Sequence, residues 1–110
     1  MEQLNYNLAS KTAPSGQIGA STGVVNSGNL EILLLSHDDS ISAKFTVATS
    51  VAGYSEIWHA VLADFAAKFA IGGLEFILHD SGATPAIVAL RLRQAYETYL
   101  VASANKRITN

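Results

Sequence analysis

The sequence contains no cysteine, which excludes disulfide bonds and thiolate chemistry and gives no sign of an oxidising compartment. No apolar run approaches the roughly 20 residues that a helix needs to cross a bilayer, so we expect no membrane association. No basic flank leads into an apolar stretch at the N-terminus, so we predict no export signal and a cytoplasmic location. The net charge is −2 and basic residues are not clustered, which argues against a nucleic-acid partner.

Recognisable catalytic and metal-binding motifs are missing as well. His37, His59 and His79 do not stand at the spacing of metal ligands, and we predict no metal site. The sequence has no Gly-x-Ser-x-Gly elbow, Walker motif or dinucleotide-binding glycine pattern. A Ser-His-Asp group is assembled in space rather than in sequence, so a minor hydrolase or isomerase stays open as one alternative.

What the sequence does contain is a large apolar fraction in a short chain. Of the 110 residues, 49% are hydrophobic, which predicts one domain over 1–110 with a single core. We expect the least ordered stretch at Ser10–Gly16, and a flexible N-terminal strand and C-terminal tail. Apolar periodicity predicts the following elements: strands at Leu4–Leu8, Gln17–Val25, Leu30–Leu35, Ile41–Thr49 and Leu74–His79, and helices from Ser55 and from Pro85.

This order predicts an α+β fold, with a single mostly antiparallel sheet of four to five strands and two helices packed on one face. The Ile41–Thr49 strand, the first helix and the Leu74–His79 strand could form a crossover between parallel strands. Ser55 is the expected N-cap of the first helix, and Gly72-Gly73 is its expected end. Thr84 followed by Pro85 is a strong start for the second helix.

The segment from Asn26 to Asn29 is a cluster of turn formers between two apolar stretches, and it predicts the tip of a β-hairpin. Most serines in such turns have no further role. Ser27 nevertheless suits the covalent attachment of a long arm, because a hairpin tip is exposed and Gly28 leaves the approach uncluttered. A tethered group reaches each partner site at a raised effective concentration.

Three segments together resemble the malonate decarboxylase delta subunit, the acyl carrier protein of the biotin-independent enzyme. The first runs from Gly23 to Leu33 and reads Gly-Val-Val-Asn-Ser-Gly-Asn-Leu-Glu-Ile-Leu. The second runs from Asp80 to Arg91 and includes Gly-Ala-Thr-Pro. The third is 49–53, followed by Trp58. The matches keep their order from about position 17 to position 100, so together they are more specific than any one alone.

The resemblance implies that Ser27 carries 2'-(5''-phosphoribosyl)-3'-dephospho-coenzyme A through a phosphodiester. It implies a non-catalytic carrier of acetyl and malonyl thioesters. Its partners would be a transferase (alpha) subunit, a decarboxylase pair (beta and gamma) and the enzyme that transfers the prosthetic group. Asn26, Gly28 and Asn29 would flank the attachment point. Asn26 stands where the family usually has glycine, and Asn29 where it has an acidic residue.

One alternative comes from a different class of protein. A small structural or protein-interaction domain of the same α+β architecture would need no covalent cofactor. Its partner could add a strand to the sheet beside an edge strand near Leu4–Leu8.

Overall fold

The computed structural model describes residues 2–14, 25–27 and 29–108, which form five strands and two helices. The elements are β1 (Glu2–Ala9), β2 (Val25–Ser27), β3 (Leu30–Ser36), β4 (Ser42–Thr49), α1 (Ser55–Lys68), β5 (Leu74–Asp80) and α2 (Pro85–Ile108). The predicted strand from Gln17 lies outside the described residues except for Val25, which belongs to β2. The predicted α+β class is confirmed.

The strands form one sheet in the order β1-β4-β5-β3-β2, with β1 at one edge. The β4–β5 pair is parallel, as the crossover through α1 predicted, and the other three pairs are antiparallel. The sheet is therefore mixed. Parallel neighbours need a long connection between them, and α1 supplies it.

Both helices pack on one face of the sheet, where Leu34, Phe76 and Phe45 lie side by side in register. Phe65 of α1 lies edge-on to Phe76, with ring centroids 5.5 Å apart, and edge-on to Tyr96 of α2 at 6.4 Å. Burial of each such side chain stabilises the fold by roughly 1.5–3 kcal/mol. The alternate residues of β3, β4 and β5 lie on the opposite face, which is more open to solvent.

The two ends of α1 differ from the prediction. Tyr54 is the N-cap and makes no side-chain capping bond, so Ser55 is the first helical residue rather than the cap. The helix ends at Lys68, because Phe69 turns to an extended conformation. The Ser10 hydroxyl, from the end of β1, lies 2.9 Å from the Ala66 carbonyl oxygen and 3.0 Å from that of Phe69. A side chain distant in sequence therefore stabilises this helix end.

Gly72-Gly73 was wrongly predicted as the C-cap, and Gly72 has a different role. Its N–H donates to the Lys11 carbonyl (2.8 Å) and its carbonyl accepts from the Ala13 N–H (2.9 Å). A Cβ atom at Gly72 would lie 2.3 Å from the Ser40 carbonyl oxygen and 2.8 Å from that of Ser10. Two backbone segments approach too closely here for any side chain.

The turn between β3 and β4 is closed by Asp39. Its carboxylate accepts from the Ile41 N–H (3.2 Å) and from the Ser42 hydroxyl (3.0 Å). These bonds, the backbone bond first, lower the pKa of Asp39 below its ordinary value of 3.8. Ile41 precedes β4 and is 68% exposed, so the predicted strand begins one residue later, at Ser42.

The second helix begins as predicted, at Pro85, and the Thr84 hydroxyl accepts from the Ile87 N–H at 3.3 Å. Its predicted inner face is buried and consists of Val88, Leu92, Ala95, Tyr96 and Tyr99. Among the described residues, neither helix is long and apolar enough to cross a membrane.

Candidate functional site

The predicted hairpin is present, and it is tighter than the sequence indicated. β2 and β3 pair through Val25↔Ile32, Asn26↔Glu31 and Ser27↔Leu30. Asn26 and Ser27 therefore belong to the strand, and only positions 28 and 29 connect the two strands. Asn29 is exposed in the turn, and Gly28 lies outside the described residues. Ser27 is the last paired residue before the tip.

The tip is attached to the loop that leads into α2. The Ser81 N–H donates to the Asn29 carbonyl at 2.8 Å. Ser27 pairs with Leu30, Leu30 with Asp80, and Asp80 with Thr49, so these four residues form one row across the sheet. The row lies where the parallel strands β4 and β5 end. Ligand sites in α/β proteins often form at this kind of edge.

Asp80 organises the loops at this edge. It is 5% exposed, and its carboxylate accepts from the Ala83 N–H and from the Thr49 hydroxyl, both at 2.8 Å. The Thr49 hydroxyl also accepts from the Val51 N–H at 3.1 Å. The Asp80 carbonyl accepts from the Ser50 N–H at 3.0 Å. One buried carboxylate thus positions both the loop after β4 and the loop after β5.

A pocket of about 300 Å³ opens between the first turns of α1 and α2 at the same edge. Its floor consists of Thr49 and Asp80, and its walls are mainly apolar. The apolar wall residues include Val51, Ile57, Trp58, Val61, Ala83 and Val88. The sequence assigned Trp58 and Val88 to the core, and both are buried. The spacing of apolar residues along each element does not predict this pocket. The pocket forms only where the first turns of two helices meet the ends of two strands.

The three histidines do not form a catalytic group. His37 lies 2.8 Å from the Ser42 carbonyl oxygen through Nε2 and accepts from the Asp39 N–H through Nδ1. His59 packs against the Tyr6 ring, and His79 lies 3.4 Å from the Glu31 carboxylate at the surface. Within 2–14, 25–27 and 29–108, no three His, Asp or Glu side chains are grouped closely enough to hold a metal ion.

Residues 18–99 match the family model of the malonate decarboxylase delta subunit (MdcD), an acyl carrier protein. The chain is 40% identical over 99 residues to the malonate decarboxylase acyl carrier protein of Acinetobacter calcoaceticus, covering 90% of this chain and 97% of the relative. It is 41% identical over 103 residues to that of Stenotrophomonas maltophilia strain K279a, covering 91% and 95%.

A solved structure gives the same result for the fold. One chain of the crystal structure of a Pseudomonas malonate decarboxylase hetero-tetramer in complex with malonate superimposes with a TM-score of 0.70 at 32% identity. The match covers 88% of this chain and 97% of the other.

Proposed function

The chain belongs to the malonate decarboxylase delta-subunit family, and from this premise we propose that Ser27 carries the prosthetic arm of the complex. At the coarser level, the chain is an acyl carrier subunit of a multi-subunit malonate decarboxylase. We propose that it is a non-catalytic carrier within that complex.

The position of Ser27 is the observation that supports the attachment. It ends β2 beside a two-residue connection whose described residue, Asn29, is exposed. The tip is tied to Ser81 by a backbone bond, so the anchor point has a defined place at the end of the sheet. A hydroxyl is the group that a phosphodiester linkage requires. Gly28 would leave room for the modifying enzyme, with Asn26 and Asn29 flanking the linkage.

We propose 2'-(5''-phosphoribosyl)-3'-dephospho-coenzyme A as the arm, attached through a phosphodiester to Ser27. When bound, this group supplies a thioester whose carbonyl stabilises the carbanion left when CO2 departs from a malonyl group. The role of this chain is to hold the arm and to present it in turn to different subunits. The bases and oxyanion donors would come from those subunits, since the described histidines here have other contacts.

The proposed partners are the transferase (alpha) subunit, the decarboxylase (beta and gamma) subunits and the enzyme that attaches the prosthetic group. The match to a chain of a hetero-tetramer supports a multi-subunit assembly. We further propose that the complex acts in the cytoplasm.

Intact-mass spectrometry tests the attachment site. The chain is co-expressed with its prosthetic-group enzymes, and the expected result is one adduct of the mass of the coenzyme-derived group. Ser27→Ala should abolish the adduct completely. Ser81→Ala is the matched control, because Ser81 is an exposed serine beside the tip whose structural bond comes from its backbone N–H. An adduct that persists in Ser27→Ala, or disappears in Ser81→Ala alone, would assign the arm elsewhere.

A further inference from the structure

The pocket between the helix starts and the proposed attachment point share one edge of the sheet. Ser27 and Asp80 lie in the same row with one strand between them. Two strand spacings separate them, or about 10 Å. We propose that this pocket holds the acetyl thioester end of the arm in the resting carrier and excludes the malonyl form. This inference rests on the proposed function of Ser27.

The chemistry of the pocket favours an apolar occupant. Three of the four polar side chains in its lining have partners within the chain: Thr49 bonds to Asp80, Asp80 to the Ala83 N–H, and Thr84 to the Ile87 N–H, whereas the fourth, Tyr54, is 47% exposed. They offer few free donors or acceptors to a ligand. The remaining surface is provided by side chains such as Val61, Trp58 and Val88. Such a site gains most from removing hydrocarbon from water.

The size of the pocket also suits a small group. Pockets for small molecules usually measure about 300–1,000 Å³, and this one is at the lower limit. An acetyl group with its sulfur and the adjoining methylenes is a compact apolar unit. A purine ring would bring several polar nitrogens to walls that cannot satisfy them, at a cost in free energy.

Charge separates the two acyl groups that the arm would carry. A malonyl thioester ends in a carboxylate, and burial of an ionised carboxylate without a partner is strongly unfavourable. The Asp80 carboxylate on the floor of the pocket would add repulsion. Among the described residues that line the pocket, no Lys or Arg is present to compensate. Exchange of acetyl for malonyl should therefore release the arm from the pocket and make it available to the decarboxylase subunits.

Trp58 provides a direct readout that does not depend on enzyme activity. It is the one tryptophan in the sequence, and it lines the pocket. Acrylamide quenching of its fluorescence is measured on four forms whose masses have been verified: unmodified, thiol, acetyl and malonyl. Because Trp58 is 6% exposed, quenching is weak in every form, and the quenching constant of the acetyl form should be measurably lower still than those of the other three. Hydrolysis of the acetyl thioester should be slower in the folded carrier than in free acetyl-coenzyme A, because the pocket excludes water.

A matched pair of variants tests whether the pocket is responsible. Ile57→Glu places a charge in the pocket wall at a side chain that is 45% exposed and so tolerates polarity. Ile41→Glu makes the same replacement at a residue that is 68% exposed and is not part of the lining. The protection of Trp58 in the acetyl form should be lost in Ile57→Glu and retained in Ile41→Glu.

The outcomes separate this inference from the function on which it rests. Absence of any adduct on Ser27 by mass refutes the proposed function itself. An adduct on Ser27 with equal quenching in all four forms refutes the pocket inference and leaves the carrier role intact. Equal protection in the acetyl and malonyl forms, or in the thiol form, shows that the pocket does not select the acyl group, and this also overturns the inference.

Discussion

Replacement of Asp80 by alanine should destabilise the chain more than removal of any exposed carboxylate. The variant deprives the Ala83 N–H and the Thr49 hydroxyl of the acceptor that each contacts at 2.8 Å. Asp80 is 5% exposed, so water does not readily replace the lost bonds. The Thr49 hydroxyl has a second acceptor, the Val51 carbonyl at 3.4 Å, and its loss is partly relieved.

The magnitude follows from these two bonds. Hydrogen bonds to charged groups contribute about 1.5–3 kcal/mol each, and neighbouring bonds are not additive. We expect the free energy of unfolding to fall by about 3 kcal/mol. For a chain of this length, an unfolding entropy near 2.1 cal/mol/K per residue converts this into a fall in Tm of about 13 °C.

Urea denaturation monitored by circular dichroism measures this loss, with Asp38→Ala as the control. Asp38 is exposed, and within the described chain its side chain makes no hydrogen bond or ion pair, so its removal should change stability by less than about 0.5 kcal/mol. A loss below about 1 kcal/mol in Asp80→Ala, or equal losses in the two variants, would show that the carboxylate does not organise this edge.

Two further predictions concern the fold. Gly72→Ala should lower the free energy of unfolding by about 2–3 kcal/mol, because its Cβ would meet backbone oxygen atoms that cannot rotate away. Gly53 has a φ of +89° and nothing within 4 Å of an added Cβ, so Gly53→Ala should lower it by about 1 kcal/mol in the same denaturation assay. A larger loss in Gly53→Ala than in Gly72→Ala would contradict the close backbone approach at Gly72. The lowered pKa of Asp39 stabilises the fold above pH 3.8, and this contribution disappears as the pH falls through the folded-state pKa. Asp39→Asn should therefore be less stable than the wild type at pH 7, with the difference closing below about pH 4, while Asp38→Asn shows no such convergence; a difference independent of pH would refute the assignment.

The sequence predicted the elements whose signals are local. Thr84 and Pro85 are adjacent and define a helix start without help from the rest of the chain. The hairpin was predicted for the same reason, since the turn formers from Asn26 to Asn29 lie between two apolar stretches. Its tip is tighter than expected, because pairing with Leu30 draws Ser27 into the strand.

The errors arose where a distant residue changes the outcome. Ser10 reaches the end of α1 because β1 pairs with β4. The residues next to Gly72-Gly73 in the sequence give no signal of this contact. A glycine that permits close backbone contact and a glycine that ends a helix look alike in sequence. The pocket beside Asp80 was missed for a related reason, because the residues that line it come from four separate elements, β4, α1, β5 and α2. The role of Ser27 as an attachment point stays a prediction.

The hydrogen bond between Ser81 and Asn29 joins backbone atoms of both residues, so it does not depend on the identity of the side chain at position 29. Most side chains at position 29 would leave this backbone hydrogen bond intact. The attachment of the hairpin tip to the loop before α2 is therefore independent of which side chain position 29 exposes to solvent. Asparagine in place of an acidic residue at position 29 removes a charge from the tip and leaves the backbone bond to Ser81 in place. The surface charge of this turn and its backbone attachment to the sheet can thus vary independently.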